Sequence, residues 1–209
     1  IEDKEFMNSH YILFCTKKGT VKKTLIEEYA KSNISKIRAL TINEGDTLID
    51  ARLTDGNSEI VMANKKGFAV RFNEGDVRSM GRPAAGVRGM TLQGEDDEVV
   101  GMLTVSEHDK LSTILVISEN GYGKRSELEE YRKTKRGAKG VGTLKITEKT
   151  GELIAIKAVE ETDDLMIINE SGVTIRMPVT EIRVMGRKTQ GVRLINLTDD
   201  DRIADIGVI

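Results

Sequence analysis

The chain has no tryptophan, two prolines and one cysteine among 209 residues, and aromatic residues make up only 4% of it. With Cys15 alone there is no disulfide framework, which fits a reducing compartment. Its place in the apolar run ILFC makes it a buried core thiol. The scarcity of aromatics argues against a single-strand platform built on stacked bases. No apolar run approaches the roughly 18 residues that a membrane helix needs, so no membrane partner is expected. The first residues, IEDKEFMNSH, are polar and acidic rather than a secretory leader, and the chain starts at Ile1 rather than Met, as a piece of a longer protein would.

No catalytic or cofactor motif emerges. The segment GAKGVG at 137–142 resembles a phosphate loop, but G-x-x-x-x-G-K-[ST] is missing. His10 and His108 are far apart and lack cysteine partners, so a zinc site is not expected. The DDD run at 199–201 reads as an acidic turn, since calcium loops need regularly spaced oxygens. Nothing signals a Ser-His-Asp or Cys-His arrangement, so no catalytic residue, metal or cofactor is expected.

What the chain does have is repetition. Gly19, Gly67, Gly121 and Gly172 stand about fifty residues apart and open similar segments. The fourth residue after each is basic (Lys23, Arg71, Arg125, Arg176) and the ninth acidic (Glu28, Asp76, Glu130, Glu181). In the last three copies the fifteenth is Arg82, Arg136 and Arg187, and the nineteenth Gly86, Gly140 and Gly191. Repeat one departs from this, with Ile34 and Arg38 at those places; Lys31, Lys36 and Arg38 keep its loop basic.

Each repeat starts with a short apolar run (YILFC, EIVMA, TILVI, LMIIN), turns at its glycine and continues in a second strand, a hairpin signal. A third strand is expected in IRALTI, VRGMTL, GTLKI and VRLINL, and a fourth in LIDARL, VVGMLTV, LIAIKAV and IADIGVI. ELEEYRK and TEIR are expected to add a turn of helix. The prediction is an all-β, propeller-like array of four antiparallel four-stranded blades, near 10–58, 59–112, 113–164 and 165–209. Residues 1–9 read as the tail of a preceding blade.

The net charge is only −2, but it is unevenly distributed. The loops 81–88, 135–142 and 186–193 contain Arg82, Arg88, Lys135, Arg136, Lys139, Arg187, Lys188 and Arg193 and no acid. The acids gather in GEDDE, VEETDD and DDD. If the repeats fold alike, one rim is basic. A curved row of cations suits sequence-independent neutralisation of phosphates, and loop glycines would let the backbone approach a duplex closely. With Lys23, Arg71, Lys124, Arg125 and Arg176 from the strands before the loops, these residues form the candidate binding set. A propeller scaffold for a protein partner is the alternative; salt distinguishes the two, because only phosphate binding weakens steeply with it.

The ordered segments GTVKKT…EEY, VRFNEGDVRSMGRPAAGVRGM, NGYGKR…EEYRKTKRGAKGV and SGVTIRM…EIRVMGRKTQGVRLI closely resemble the C-terminal domain of bacterial DNA gyrase A. The paralogous domain of topoisomerase IV is a more distant resemblance. The resemblance covers essentially the whole chain and matches the last four blades of a six-bladed β-pinwheel whose blades exchange strands. It implies double-stranded DNA wrapped on a basic perimeter, with the wrap setting the sign of supercoiling. It further implies the rest of gyrase A, together with gyrase B, as partners, and the bacterial cytoplasm and nucleoid as location. The family's first-blade basic box, Q-R-R-G-G-K-G, is missing; Lys135-Arg136-Gly137-Ala138-Lys139-Gly140 is a degenerate echo. Catalytic tyrosine and ATPase site belong to other parts of that enzyme, so no catalysis is expected of this chain alone.

Overall fold

The computed structural model describes residues 3–30, 38–106, 113–198 and 200–209. A six-residue helix, α1 (Lys4–Ser9), precedes the first repeat. The first repeat contributes β1 (Tyr11–Thr16), β2 (Thr20–Leu25) and β3 (Leu48–Thr54), with a short helix α2 (Glu27–Ala30) after β2. The second contributes β4 (Glu59–Asn64), β5 (Phe68–Asn73), β6 (Val87–Arg88) and β7 (Val99–Val105). The third has β8 (Thr113–Ser118), β9 (Tyr122–Ser126), β10 (Val141–Gly142) and β11 (Leu153–Val159). The fourth has β12 (Asp164–Asn169), β13 (Thr174–Pro178), β14 (Val192–Arg193) and β15 (Ile203–Val208). Single 3-10 turns occupy Glu74–Asp76, Leu128–Glu130 and Val179–Glu181, the last two within or beside the segments expected to coil.

The anchor glycines close the hairpins. Gly19, Gly67, Gly121 and Gly172 all have φ between 82° and 86°, a left-handed conformation that glycine adopts without a Cβ penalty. Each N–H donates to the carbonyl three residues back (Thr16, Asn64, Ser118, Asn169) at 3.0 Å. Acidic turns buttress these hairpins. Buried Asp97 accepts from the Asn64 amide at 2.7 Å, and buried Asp201 accepts from that of Asn169 at 2.5 Å.

The sheets are antiparallel, in the orders β3-β1-β2-β6, β7-β4-β5-β10, β11-β8-β9-β14 and β15-β12-β13. Blades therefore exchange strands. Each of the first three sheets takes its outer strand from the repeat that follows, Val87 and Arg88 pairing with Val21 and Thr20, for example. Among the described residues the fourth sheet receives no such strand and has three. The expected third strands are also much shorter than the apolar runs suggested. After position 21 the chain leaves the ladder because the next N–H turns to the anchor glycine one repeat back. Gly89 donates to the Gly19 carbonyl and Leu194 to that of Gly121, both at 2.8 Å. Met90, Leu144 and Ile195 then enter the core. In the first repeat, residues 38–42 are not strand, and Lys31, Ile34 and Lys36 lie outside the described residues.

The first strands are apolar without alternation because both of their faces are covered. On β4, Ile60 and Met62 pack toward the first repeat, with Leu13, Val21 and Met90, while Val61 and Ala63 pack toward the third, with Ile114 and Val116. On β8, Leu115 and Ile117 continue the pattern toward the fourth. Each core is thus an interface between neighbours, as stacked repeats require. Cys15 belongs to the first of these cores, and burial raises its thiol well above the ordinary range.

Strands β3, β7, β11 and β15 are the inner members of their sheets, and β7 packs against both β3 and β11, as β11 does against β15. They form the hub. The opposite edge, where β6, β10 and β14 lie on the preceding sheet, is the periphery, and the basic loops lead into those strands.

Candidate nucleic-acid interface

The basic residues at the fourth position face the junctions between repeats. Lys23 is buried, its ammonium 3.3 Å from the Glu74 carbonyl, 3.6 Å from that residue's carboxylate and over the Tyr11 ring. Arg71 donates to the carbonyls of Leu128 and Tyr131 at 2.9 and 3.0 Å and pairs with Glu59. Burial raises the Glu59 carboxyl, but hydrogen bonds from Arg71 and Lys133 outweigh it and hold the group below the usual range. Buried Arg125 donates to the Ile182 carbonyl at 2.8 Å and pairs with Glu161 at 2.5 Å. In each case a cation from one repeat caps carbonyls at the 3-10 turn of the next. Arg176 has no following repeat in this chain; its side chain is 65% exposed and pairs with Asp164 of its own repeat.

The third position carries a second set of clamps. Lys22 reaches the carbonyl of Arg82 at 2.5 Å, and Lys124 that of Gly186 at 2.8 Å and the Thr189 hydroxyl at 3.1 Å. Both are buried under the basic loop of the next repeat. Desolvation, with a smaller contribution from nearby Arg187, lowers the Lys124 pKa to about 8. Lys23, Lys124 and Arg125 were candidates for contact with a ligand; burial removes them from any surface that a duplex reaches. Partly buried Arg71, with its guanidinium committed to three partners, belongs with them.

The fifteenth-position arginines are divided in role. Arg136 donates to the carbonyls of Asp76 and Arg88 at 3.0 and 3.1 Å, and Arg187 to those of Glu130 and Gly142 at 2.8 and 2.9 Å. The acceptors occupy equivalent places one repeat back, so these arginines pin the loops down while remaining at the surface. Glycine at the nineteenth position serves the same packing. A Cβ on Gly86 would come within 2.7 Å of the Val21 carbonyl, and one on Gly140 would collide with that of Ala69. The loop glycines therefore admit the neighbouring strand rather than a ligand.

The remaining candidates form the peripheral set. Arg88, Lys135, Lys139, Lys188 and Arg193 are exposed and Arg82 is half-buried. Arg193 stacks over the Tyr122 ring, whose hydroxyl accepts from its guanidinium at 2.9 Å. Three further arginines belong here although the sequence reading passed over them: Arg78, Arg132 and Arg183. All are exposed, and all stand at the eleventh position after their anchor glycines, a recurrence visible in the sequence. Exposed Asp76, Glu130 and Glu181 stand two residues before these arginines, whereas the acidic turns GEDDE and DDD back onto the hairpin turns. The main-chain N–H of Lys65 donates to the Glu98 carbonyl and that of Lys17 to the Thr47 carbonyl. Among the described residues no group of three His, Cys, Asp or Glu side chains is placed to hold a metal ion.

A family model described as DNA gyrase C-terminal domain, beta-propeller, matches residues 10–55, 58–106, 112–160 and 163–209. DNA gyrase A of Staphylococcus aureus (strain MRSA252) is 40% identical over 200 residues, covering 96% of this chain. The chain spans 22% of that protein's length. Among solved structures, the C-terminal domain of DNA topoisomerase IV superposes with a TM-score of 0.91 at 28% identity, over 100% of this chain and 64% of that one. A DNA gyrase A C-terminal domain superposes with a TM-score of 0.84 at 26% identity, over 99% and 68%.

Proposed function

The chain belongs to the DNA gyrase C-terminal domain family, and from that premise we propose that it binds double-stranded DNA without regard to sequence and bends it along its basic periphery. The observation that carries this reading is the recurrence of exposed, acid-free basic loops at three successive junctions, each on the edge of a blade away from the hub. Cations arrayed this way release counterions from phosphates and carry no base information. Smooth bending of a duplex costs about 1–6 kcal/mol, and contacts spread along an arc offset that cost where a single cluster does not. In this proposal the chain supplies binding and no chemistry. It acts as part of a longer gyrase A protein, with gyrase B as the further partner, in the bacterial cytoplasm at the nucleoid. There the wrap sets the sign of strand passage and so directs negative supercoiling.

Sealing nicked circular DNA with ligase in the presence of the chain tests this reading. Wrapping shifts the mean linking number of the sealed circles in proportion to bound protein. Binding without any shift would contradict wrapping, and no binding would favour a scaffold for a protein partner.

A further inference from the structure

The outer segment of each repeat runs along the edge of the preceding sheet and is attached at two ends. Position 12 bridges the fourth-position residue of the previous repeat: Ser79 with Lys23, Lys133 with Arg71 and Val184 with Arg125. The next N–H, of Met80, Thr134 or Met185, donates to the carbonyl of that same residue at 2.8–2.9 Å. At the other end, Arg88 pairs with Thr20 and Arg193 with Tyr122. Arg78 and Arg183 precede the first attachment, and Arg88 and Arg193 stand at the second. Thr20 and Lys23 are three residues apart on one extended strand, so the two attachments are ~10 Å apart.

We infer that the periphery grips DNA by two arginine rails, one made by Arg78, Arg132 and Arg183 and the other by Arg88 and Arg193, each rail holding the phosphates of one strand across a groove. This rests on the DNA-binding reading above and assigns the contacts within it. Groove widths of about 6 and 12 Å bracket the separation of the attachments. The first rail is chemically free for the task. Among the described residues, Arg78, Arg132 and Arg183 are exposed, and no side-chain hydrogen bond or ion pair holds them. By contrast, the guanidinium groups of Arg136 and Arg187, between the rails, are occupied by carbonyls. The middle junction has one rail, because the place of Arg88 and Arg193 is taken there by Gly142.

Ethylation-interference mapping of duplex phosphates, with the wild-type chain and with two variants, separates the rails. In Arg78→Gln/Arg132→Gln/Arg183→Gln, the interfering phosphates on one side of each contacted groove disappear and those on the other side persist. The salt slope of binding falls by about 0.9 for each phosphate no longer neutralised, with the thermal midpoint unchanged. In Arg88→Gln/Arg193→Gln, the opposite side disappears. The inference is overturned if the triple variant keeps the wild-type slope, or if both variants weaken the same phosphates. A wild-type chain that shows no salt-dependent binding to duplex would sink the DNA-binding reading itself.

Discussion

Arg125 Nε donates to the main-chain carbonyl of Ile182 at 2.8 Å, across the junction between the third and fourth repeats. Arg176, at the same place in the fourth repeat, has no such acceptor among the described residues and is exposed. Arg125→Ala leaves a buried carbonyl without its donor and costs about 1–3 kcal/mol. Arg176→Ala removes a surface pair and stays within about 0.5 kcal/mol of wild type. Urea denaturation of both variants checks the difference; equal losses would mean that the fourth position does not join the repeats.

Gly140 has φ +84° and lies against the Ala69 carbonyl, whereas Gly186 has no neighbour within 4 Å of an added Cβ and no positive φ. Gly140→Ala therefore strains the backbone, at about 1–3 kcal/mol, and loosens the pairing of Val141 and Gly142 with β5. Gly186→Ala is tolerated. Thermal melts, with amide exchange at Gly142, read both effects.

Lys124 is buried with its pKa lowered to about 8. Its unfolded value is near 10.4, so between those pH values this side chain binds more protons in the unfolded chain and its contribution to stability rises with pH. Near pH 10 Tyr131 turns the slope down, since burial holds its phenol protonated in the folded state. The buried Cys15 thiol also opposes the rise above about pH 8.5, where it ionises only in the unfolded chain. The readout is therefore a difference: the denaturation midpoint of wild type relative to Lys124→Met should climb from pH 7 to 10. A constant difference would assign the titration to another group.

Asp96 is exposed and pairs with Lys66 at 2.6 Å; Asp97 is buried and holds Asn64 and the Gln93 N–H, each at 2.7 Å. Asp97→Ala costs about 1–3 kcal/mol. Asp96→Lys leaves the fold intact and changes DNA affinity only through net charge. A gain from Asp96→Lys beyond that of a reversed acid elsewhere would bring this turn onto the DNA path.

The all-β architecture was legible because apolar runs and left-handed glycines recur at one spacing. Strand exchange was not legible from periodicity, since β6, β10 and β14 have two residues each and their partners lie in another repeat; only the resemblance implied it. The site reading erred where recurrence of charge was taken as recurrence of function. Lys23, Arg71 and Arg125 recur because every junction has carbonyls to cap. Arg78, Arg132 and Arg183 recur just as regularly, but one residue type in a solvated segment does not declare its exposure until the neighbouring repeat is in place.

The central claim, that exposed cations on the periphery bind duplex phosphates, is tested most directly by the salt dependence of affinity. A short duplex of random sequence is titrated by fluorescence anisotropy at salt concentrations from about 50 to 200 mM. The wild-type chain is compared with Arg88→Gln/Lys135→Gln/Lys139→Gln/Lys188→Gln, four exposed residues whose side chains make no hydrogen bond or ion pair among the described residues. The account predicts steep weakening with salt for wild type, and for the variant a slope smaller by as much as about 3.6, with unchanged thermal stability. Equal slopes for the two proteins, or a wild-type affinity indifferent to salt, would contradict it.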